Sequence, residues 1–202
     1  MSLRDVKFDE FFNVFENLDK LGKRYHEQVS GKDPTNGNPA TYTNIFLTLR
    51  RYFPDFRRLK ILEAGSGPGY FLYCLNQLGA DVYAIDKQDQ GGFPQKNGIK
   101  FCHQNLLHLP ERVTPRHLFP ETDFDEFDVV ISRLLLEYPV TTVEETIKIL
   151  KLLRPLSKLH IHEQTPLASN LRFLDFKNLG YHATFEISPY VTHNEVCTLI
   201  RM

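Results

Sequence analysis

The sequence predicts an α/β fold: a doubly wound, mostly parallel seven-stranded sheet with helices on both faces. Three observations carry this. Seven strand-length segments recur along the chain, at Lys60–Leu62, Val82–Ile85, Ile99–Cys102, Phe127–Ser132, Lys158–Glu163, Tyr181–Ile187 and Val196–Arg201. The first two are joined by a glycine turn and a helical stretch, and the second ends on an acid, Asp86. The chain of 202 residues is long enough for one domain built on an open sheet covered on both sides.

The stretch from Lys60 to Asp86 organises the rest. Ile61 and Leu62 read as a buried parallel strand. The chain then breaks into Gly65-Ser66-Gly67-Pro68-Gly69 and resumes as the helical run Tyr70–Leu75, which Gly79 closes. Val82-Tyr83-Ala84-Ile85-Asp86 is the next strand. Without Cβ atoms the turn can take positive φ and lie directly against a ligand. Asp86 then stands beside it at a strand's carboxyl end, where two carboxylate oxygens can accept from both hydroxyls of a ribose. This is a nucleoside-binding βαβ unit.

The glycine spacing decides which nucleoside. A dinucleotide site needs G-x-G-x-x-G, and Tyr70 occupies the place of its third glycine. The sequence reads Glu63-x-Gly65-x-Gly67-x-Gly69 instead. This resembles the first motif of the Rossmann-like class I S-adenosylmethionine-dependent methyltransferases, an acidic residue followed by G-x-G-x-G. The resemblance runs from about Lys60 to the end of the chain. It implies S-adenosylmethionine as cofactor, held by Glu63, Gly65, Ser66, Gly67, Gly69, Asp86, Lys87, Asn105, Leu106 and Ser132. It also implies a closing antiparallel strand pair. Residues 1–58 would be an N-terminal helical extension covering the cofactor cleft and residues 59–202 the Rossmann-like domain, one structural domain overall.

Composition narrows the partners. The 24 Lys+Arg against 25 Asp+Glu leave a formal net charge of -1, so no global field recruits nucleic acid or an anionic membrane. No run of 18 apolar residues occurs, and the N-terminus is polar rather than signal-like. Cys74, Cys102 and Cys197 are odd in number and embedded in apolar segments, reading as reduced thiols of a cytoplasmic protein.

The elements follow in order. Phe8, Phe11, Phe12 and Phe15 form the stripe of an amphipathic helix that Gly22 stops. A loop from Ser30 to Asn38 precedes a second helix with Pro39 at its first position and Tyr42, Ile45, Phe46 and Leu49 on one side. Arg50, Arg51, Arg57, Arg58 and Lys60 flank the first strand and read as a solvated helix end rather than an RNA patch. Lys87 to Gly98, with Asp89 and the Gly91-Gly92 pair, is a polar loop or short irregular helix. The third strand ends in Gln104-Asn105-Leu106. There the family carries an Asp that accepts from the adenine amino group, and Asn105 can accept through its carbonyl oxygen. Leu107 to Asp125, with Pro110, Pro115 and Pro120, is an irregular insertion around a short helix. After the fourth strand comes Ser132-Arg133-Leu134-Leu135-Leu136-Glu137-Tyr138-Pro139. It lacks the N-P-P-Y or D-P-P-Y signature of base-amino methyltransferases, which argues against a nucleobase amine as acceptor. Thr141-x-x-Glu144 reads as a capping box opening a helix through Leu153. Arg154-Pro155-Leu156-Ser157 stands where the family commonly has P-G-G. Thr165-Pro166 is expected to start a further helix that Gly180 ends.

Other constellations compete for chemistry. His160 and His162 alternate on one strand face, about 6–7 Å apart, with Glu163 on the other face. They read as core or cleft-edge histidines rather than a metal pair. Glu163, Glu137 and Tyr138 lie near strand ends and are candidates to meet an acceptor. The function expected is methyl transfer from S-adenosylmethionine to a small or mid-sized acceptor, without membrane or nucleic-acid partners. The alternatives are a protein that binds the cofactor without transfer and a nicotinamide oxidoreductase, which Tyr70 opposes.

Overall fold

The structure, a computed structural model, describes residues 42–88, 92–137, 140–187 and 194–202. Seven strands, β1 (Lys60–Ala64), β2 (Asp81–Asp86), β3 (Lys100–His103), β4 (Val129–Arg133), β5 (Leu159–Gln164), β6 (Tyr181–Ile187) and β7 (Glu195–Arg201), form one sheet. Their spatial order is β3-β2-β1-β4-β5-β7-β6. The first five are parallel, and β7 runs antiparallel between β5 and β6. The strand order turns about β1 and β4, so a crevice opens there at the carboxyl ends of the strands.

Alternation along each strand divides the core into two layers. Ile61, Val82, Ala84, Val129, Ile131 and Ile161 point to one face. They pack under helix α1 (Thr43–Tyr52), through Ile45, Phe46 and Leu49, and helix α2 (Tyr70–Gln77), through Phe71, Leu72 and Leu75. Tyr42 stacks on Phe71 with ring centroids 5.2 Å apart. Each such apolar side chain contributes about 1.5–3 kcal/mol when removed from water. Leu62, Ala64, Tyr83, Ile85 and Val130 point to the other face, under Ile149, Leu150 and Leu153 of helix α5 (Val143–Leu153). Short helices α3 (Phe93–Lys96) and α4 (Pro115–Leu118) fill the crossovers on either side of β3.

The layering fixes where the polar residues fall. Asp86, Glu63, Arg133 and Glu163 share parity with the α1–α2 face, whereas Ser132, His160, His162 and Gln164 share parity with the α5 face.

Four sequence expectations are corrected. The fourth strand spans Val129–Arg133 rather than Phe127–Ser132, because Asp128 is held aside, accepting from Lys60 N–H at 2.7 Å. The third strand begins one residue late, at Lys100, and runs through His103. The capping box is Thr142 with Glu145, one residue beyond the pair expected. Thr141 is taken up inside, its hydroxyl bonding Leu135 O at 3.1 Å and Thr146 Oγ1 at 3.0 Å. No α-helix starts at Thr165; turns and a single 3-10 turn, Asn170–Phe173, lead to β6. Asn170 there donates to Thr141 O at 2.7 Å and ties the segment to the start of α5, replacing helical pairing with a side-chain anchor. The Phe8 to Phe15 stripe, the Pro39 helix start, Asp89 and Tyr138 lie outside the described residues.

Candidate functional site

The β1–α2 turn is bonded to the end of β2. Gly65 N–H and Ser66 N–H both donate to Ile85 O, at 2.8 and 3.3 Å. Gly67 N–H donates to Asp86 Oδ2 at 2.8 Å, and Gln88 N–H donates to Asp86 Oδ1 at 2.8 Å. Asp86 therefore pins the turn as well as facing the crevice, with one lone pair left on each oxygen. Gly67 has φ +53°, and a Cβ placed there would meet nothing within 4 Å. A Cβ on Gly65, at φ +68°, would strike Leu135 Cδ1 at 2.9 Å. The turn thus has an open side and a packed side.

A cavity of about 400 Å³ lies against the open side. Of the residues expected to hold a cofactor, Gly65, Gly67, Asp86, Lys87, Asn105 and Leu106 line it. Asn105 Oδ1 accepts from Leu107 N–H at 3.0 Å, which aims the amide and leaves one lone pair. Ile85, Leu107, Leu134, Leu135, Val140 and Ile149 give the remainder an apolar wall. The size and the mixture of apolar wall with few polar groups suit a nucleoside-sized ligand.

The other four expected residues stand back from this cavity. Ser66 Oγ donates to Gly67 O at 3.2 Å, and Gly69 takes the left-handed conformation that starts α2. Ser132 is turned away, its hydroxyl bonding His162 Nδ1 at 2.8 Å in the α5-side core. Burial depresses the pKa of His162 well below the ordinary histidine value, and that of His160 to about 4, so both rings are neutral. Glu63 is 3% exposed on the α1–α2 face, and its Oε2 has no hydrogen-bond partner among the described residues. Burial pushes its carboxyl up to about 8; Arg133 opposes the shift and Asp86 adds to it.

Sequence reasoning does not pick out Arg133, which lines the cavity. Its Nε lies 3.6 Å from Glu163 Oε2, and its guanidinium sits 5.0 Å from the centre of the Tyr42 ring. Glu163 is buried at the end of β5, with Oε1 accepting from Asn44 Nδ2 at 3.2 Å and Asn194 Nδ2 at 3.1 Å. Burial raises its carboxyl above the ordinary range, against these bonds and Arg133. Extending the fourth strand's alternation by one residue would have put Arg133 on this face. Leu134, next to it, has φ +54°, a conformation that strains a leucine and turns the chain so that Leu135 covers Gly65. Glu137 is not among the residues lining the cavity and accepts from Thr165 N–H at 2.7 Å.

No protein-family model matches the sequence. Solved structures do resemble it. A magnesium protoporphyrin IX methyltransferase from Synechocystis, solved with bound S-adenosylmethionine, superposes with a TM-score of 0.60 at 18% identity, over 96% of this chain and 97% of its own. An N-methyltransferase from Bradyrhizobium japonicum in complex with S-adenosylhomocysteine gives 0.58 at 12% identity, over 89% and 97%. A ribosomal-protein methylase from Lactobacillus delbrueckii gives 0.55 at 15%, over 82% and 80%. The chain has the class I methyltransferase fold.

Proposed function

We propose that this chain is an S-adenosylmethionine-dependent methyltransferase acting on a small or mid-sized acceptor. One observation carries the reading: a glycine turn with an open side and an acid at the end of the adjacent strand share a single nucleoside-sized cavity. The cofactor fits this chain because Gly67 leaves space where any side chain would stand, and Asp86 keeps a free lone pair on each oxygen for ribose hydroxyls. Asn105 is assigned to the adenine edge, Leu106 and Leu135 to its faces, and Gly65, Ser66, Gly69 and Lys87 to shaping the cradle. Ser132 belongs with the wall behind the site rather than with direct contact.

The cofactor supplies an activated methyl group on sulfur. The chain's own residues bind, orient and exclude water, which suffices because in-line transfer depends chiefly on alignment. The N-terminal segment, residues 1–58, is assigned the role of covering the cleft, since α1 lies against the face that carries Arg133 and Glu163. The three cysteines are free thiols, and among the described residues no helix is long and apolar enough to cross a membrane. Both support a cytoplasmic setting.

Calorimetric titration tests the reading. S-adenosylhomocysteine and S-adenosylmethionine are expected to bind with micromolar-order affinity, about -8 kcal/mol, while NAD and NADP do not. Binding of NAD without S-adenosylhomocysteine would overturn it.

A further inference from the structure

Along the carboxyl edge of the sheet, four adjacent strands each carry an ionisable side chain in their last two residues, all on the same face. In spatial order these are Asp86 on β2, Glu63 on β1, Arg133 on β4 and Glu163 on β5. With every acid ionised the row carries three negative charges and one positive charge. Its members are not equally served. Asp86 takes two backbone N–H groups, and Glu163 takes two amides and faces Arg133. Glu63 lies between Asp86 and Arg133, which both line the cavity, and its Oε2 is buried without a hydrogen-bond partner among the described residues. Tyr42, just before α1, also feels the Glu63 charge and supplies no positive charge of its own. Glu137, beyond β4, adds a further negative charge near Glu163.

With every acid ionised the row carries a net charge of -2, and among the described residues Glu63 Oε2 has neither a backbone N–H nor an amide donor. S-adenosylmethionine, with sulfonium, ammonium and carboxylate, carries net +1; S-adenosylhomocysteine, its demethylated product, is net neutral. We infer that Glu63 distinguishes the charged cofactor from the neutral product, releasing its carboxyl proton to solvent when the sulfonium compound binds and keeping more of it when the thioether binds. The inference rests on the S-adenosylmethionine reading and deepens it: product release is favoured because the cation that held Glu63 ionised has become neutral. The carboxyl raised to about 8 in the free protein fits this, since it places a proton on Glu63 to be released at neutral pH. No covalent change at Glu63 is involved.

The test is calorimetry of S-adenosylmethionine and S-adenosylhomocysteine between pH 6.5 and 8.5, in buffers of low and high ionisation enthalpy. S-adenosylmethionine is expected to release more protons, approaching one below pH 8, and its affinity relative to S-adenosylhomocysteine to rise by up to about tenfold per pH unit, the linkage of one proton. The ligands' own ammonium groups titrate near this range, so Glu63→Gln provides the reference. In that variant the two ligands' proton counts and pH slopes are expected to converge. Equal proton release by both ligands in the wild-type protein would overturn the inference, as would a difference that survives Glu63→Gln. Should Glu63→Gln fail to fold, the wild-type proton counts are corrected for each free ligand's own ammonium titration, and equal corrected counts overturn the inference. Binding of neither ligand at any pH would overturn the cofactor reading, and the inference with it.

Discussion

At its β1–β2 end the crevice is walled by backbone: the glycine turn, the Ile85 carbonyl that holds it, and a carboxylate whose partners are peptide N–H groups. At its β4–β5 end the same edge is built from side chains gathered from distant parts of the chain, with Asn44, Arg133, Glu163 and Asn194 meeting under α1. The first construction is local in sequence and fixes one geometry. The second assembles only when the whole fold has formed, and its charges are paired imperfectly. A site that must always hold the same nucleoside can be made of backbone, whereas one that must be matched to a particular acceptor is more readily varied through side chains.

Substitutions separate the two ends, and the largest expected effect falls on the backbone end. Gly67→Val should abolish S-adenosylhomocysteine binding while leaving a normal far-ultraviolet spectrum. The branched side chain would enter the cavity and strain φ by ~1–3 kcal/mol, with no protein atom in the way. Retained affinity would mean that no ligand approaches the turn. Asp86→Ala comes next. It removes a charged acceptor from two ribose hydroxyls and leaves Gly67 N–H unpaired, so affinity should fall by roughly 10²-fold or more. Asp89→Ala, three residues on, should change affinity by less than about threefold; calorimetry showing equal losses would put the strand end in the wrong place.

The side-chain end should respond in stability first. Glu163→Ala strands two amides and leaves Arg133 facing no acid on β5, and is expected to destabilise the fold by about 2 kcal/mol in urea unfolding. An unchanged midpoint would show that α1 does not need this anchor. Glu63 acts on stability through pH, and the sign of its effect is definite. Its carboxyl ionises near 4.5 ordinarily and near 8 in the folded protein, so the folded state binds more protons between those values. Stability should therefore fall as pH rises from about 4.5 to about 8, by up to ~1.4 kcal/mol per pH unit. Glu63→Gln loses its share of that slope; identical profiles for the variant and the wild type would contradict the assignment.

The same division explains what could be read from sequence. Gly65, Gly67 and Asp86 are legible because turn, helix and strand must follow one another within thirty residues or so, and glycine and aspartate have few other reasons to stand in that register. Arg133 is missed because the strand read from sequence stops at Ser132, one residue short of it. Ser132, which the resemblance includes among the cofactor residues, has its side chain on His162 in the opposite core layer, a contact the local sequence does not announce. The helix expected after Thr165 fails for the same reason. Asn170 is anchored on Thr141, and no local pattern announces a contact 29 residues away.

Asp86 and the open side of Gly67 are proposed to hold the adenosine of S-adenosylmethionine. A crystal structure with S-adenosylhomocysteine tests this most directly. The expected result has both ribose hydroxyls within hydrogen-bond distance of Asp86, the adenine edge at Asn105, and the ligand backbone lying over Gly67. A ligand bound elsewhere, or a ribose turned away from Asp86, would contradict it.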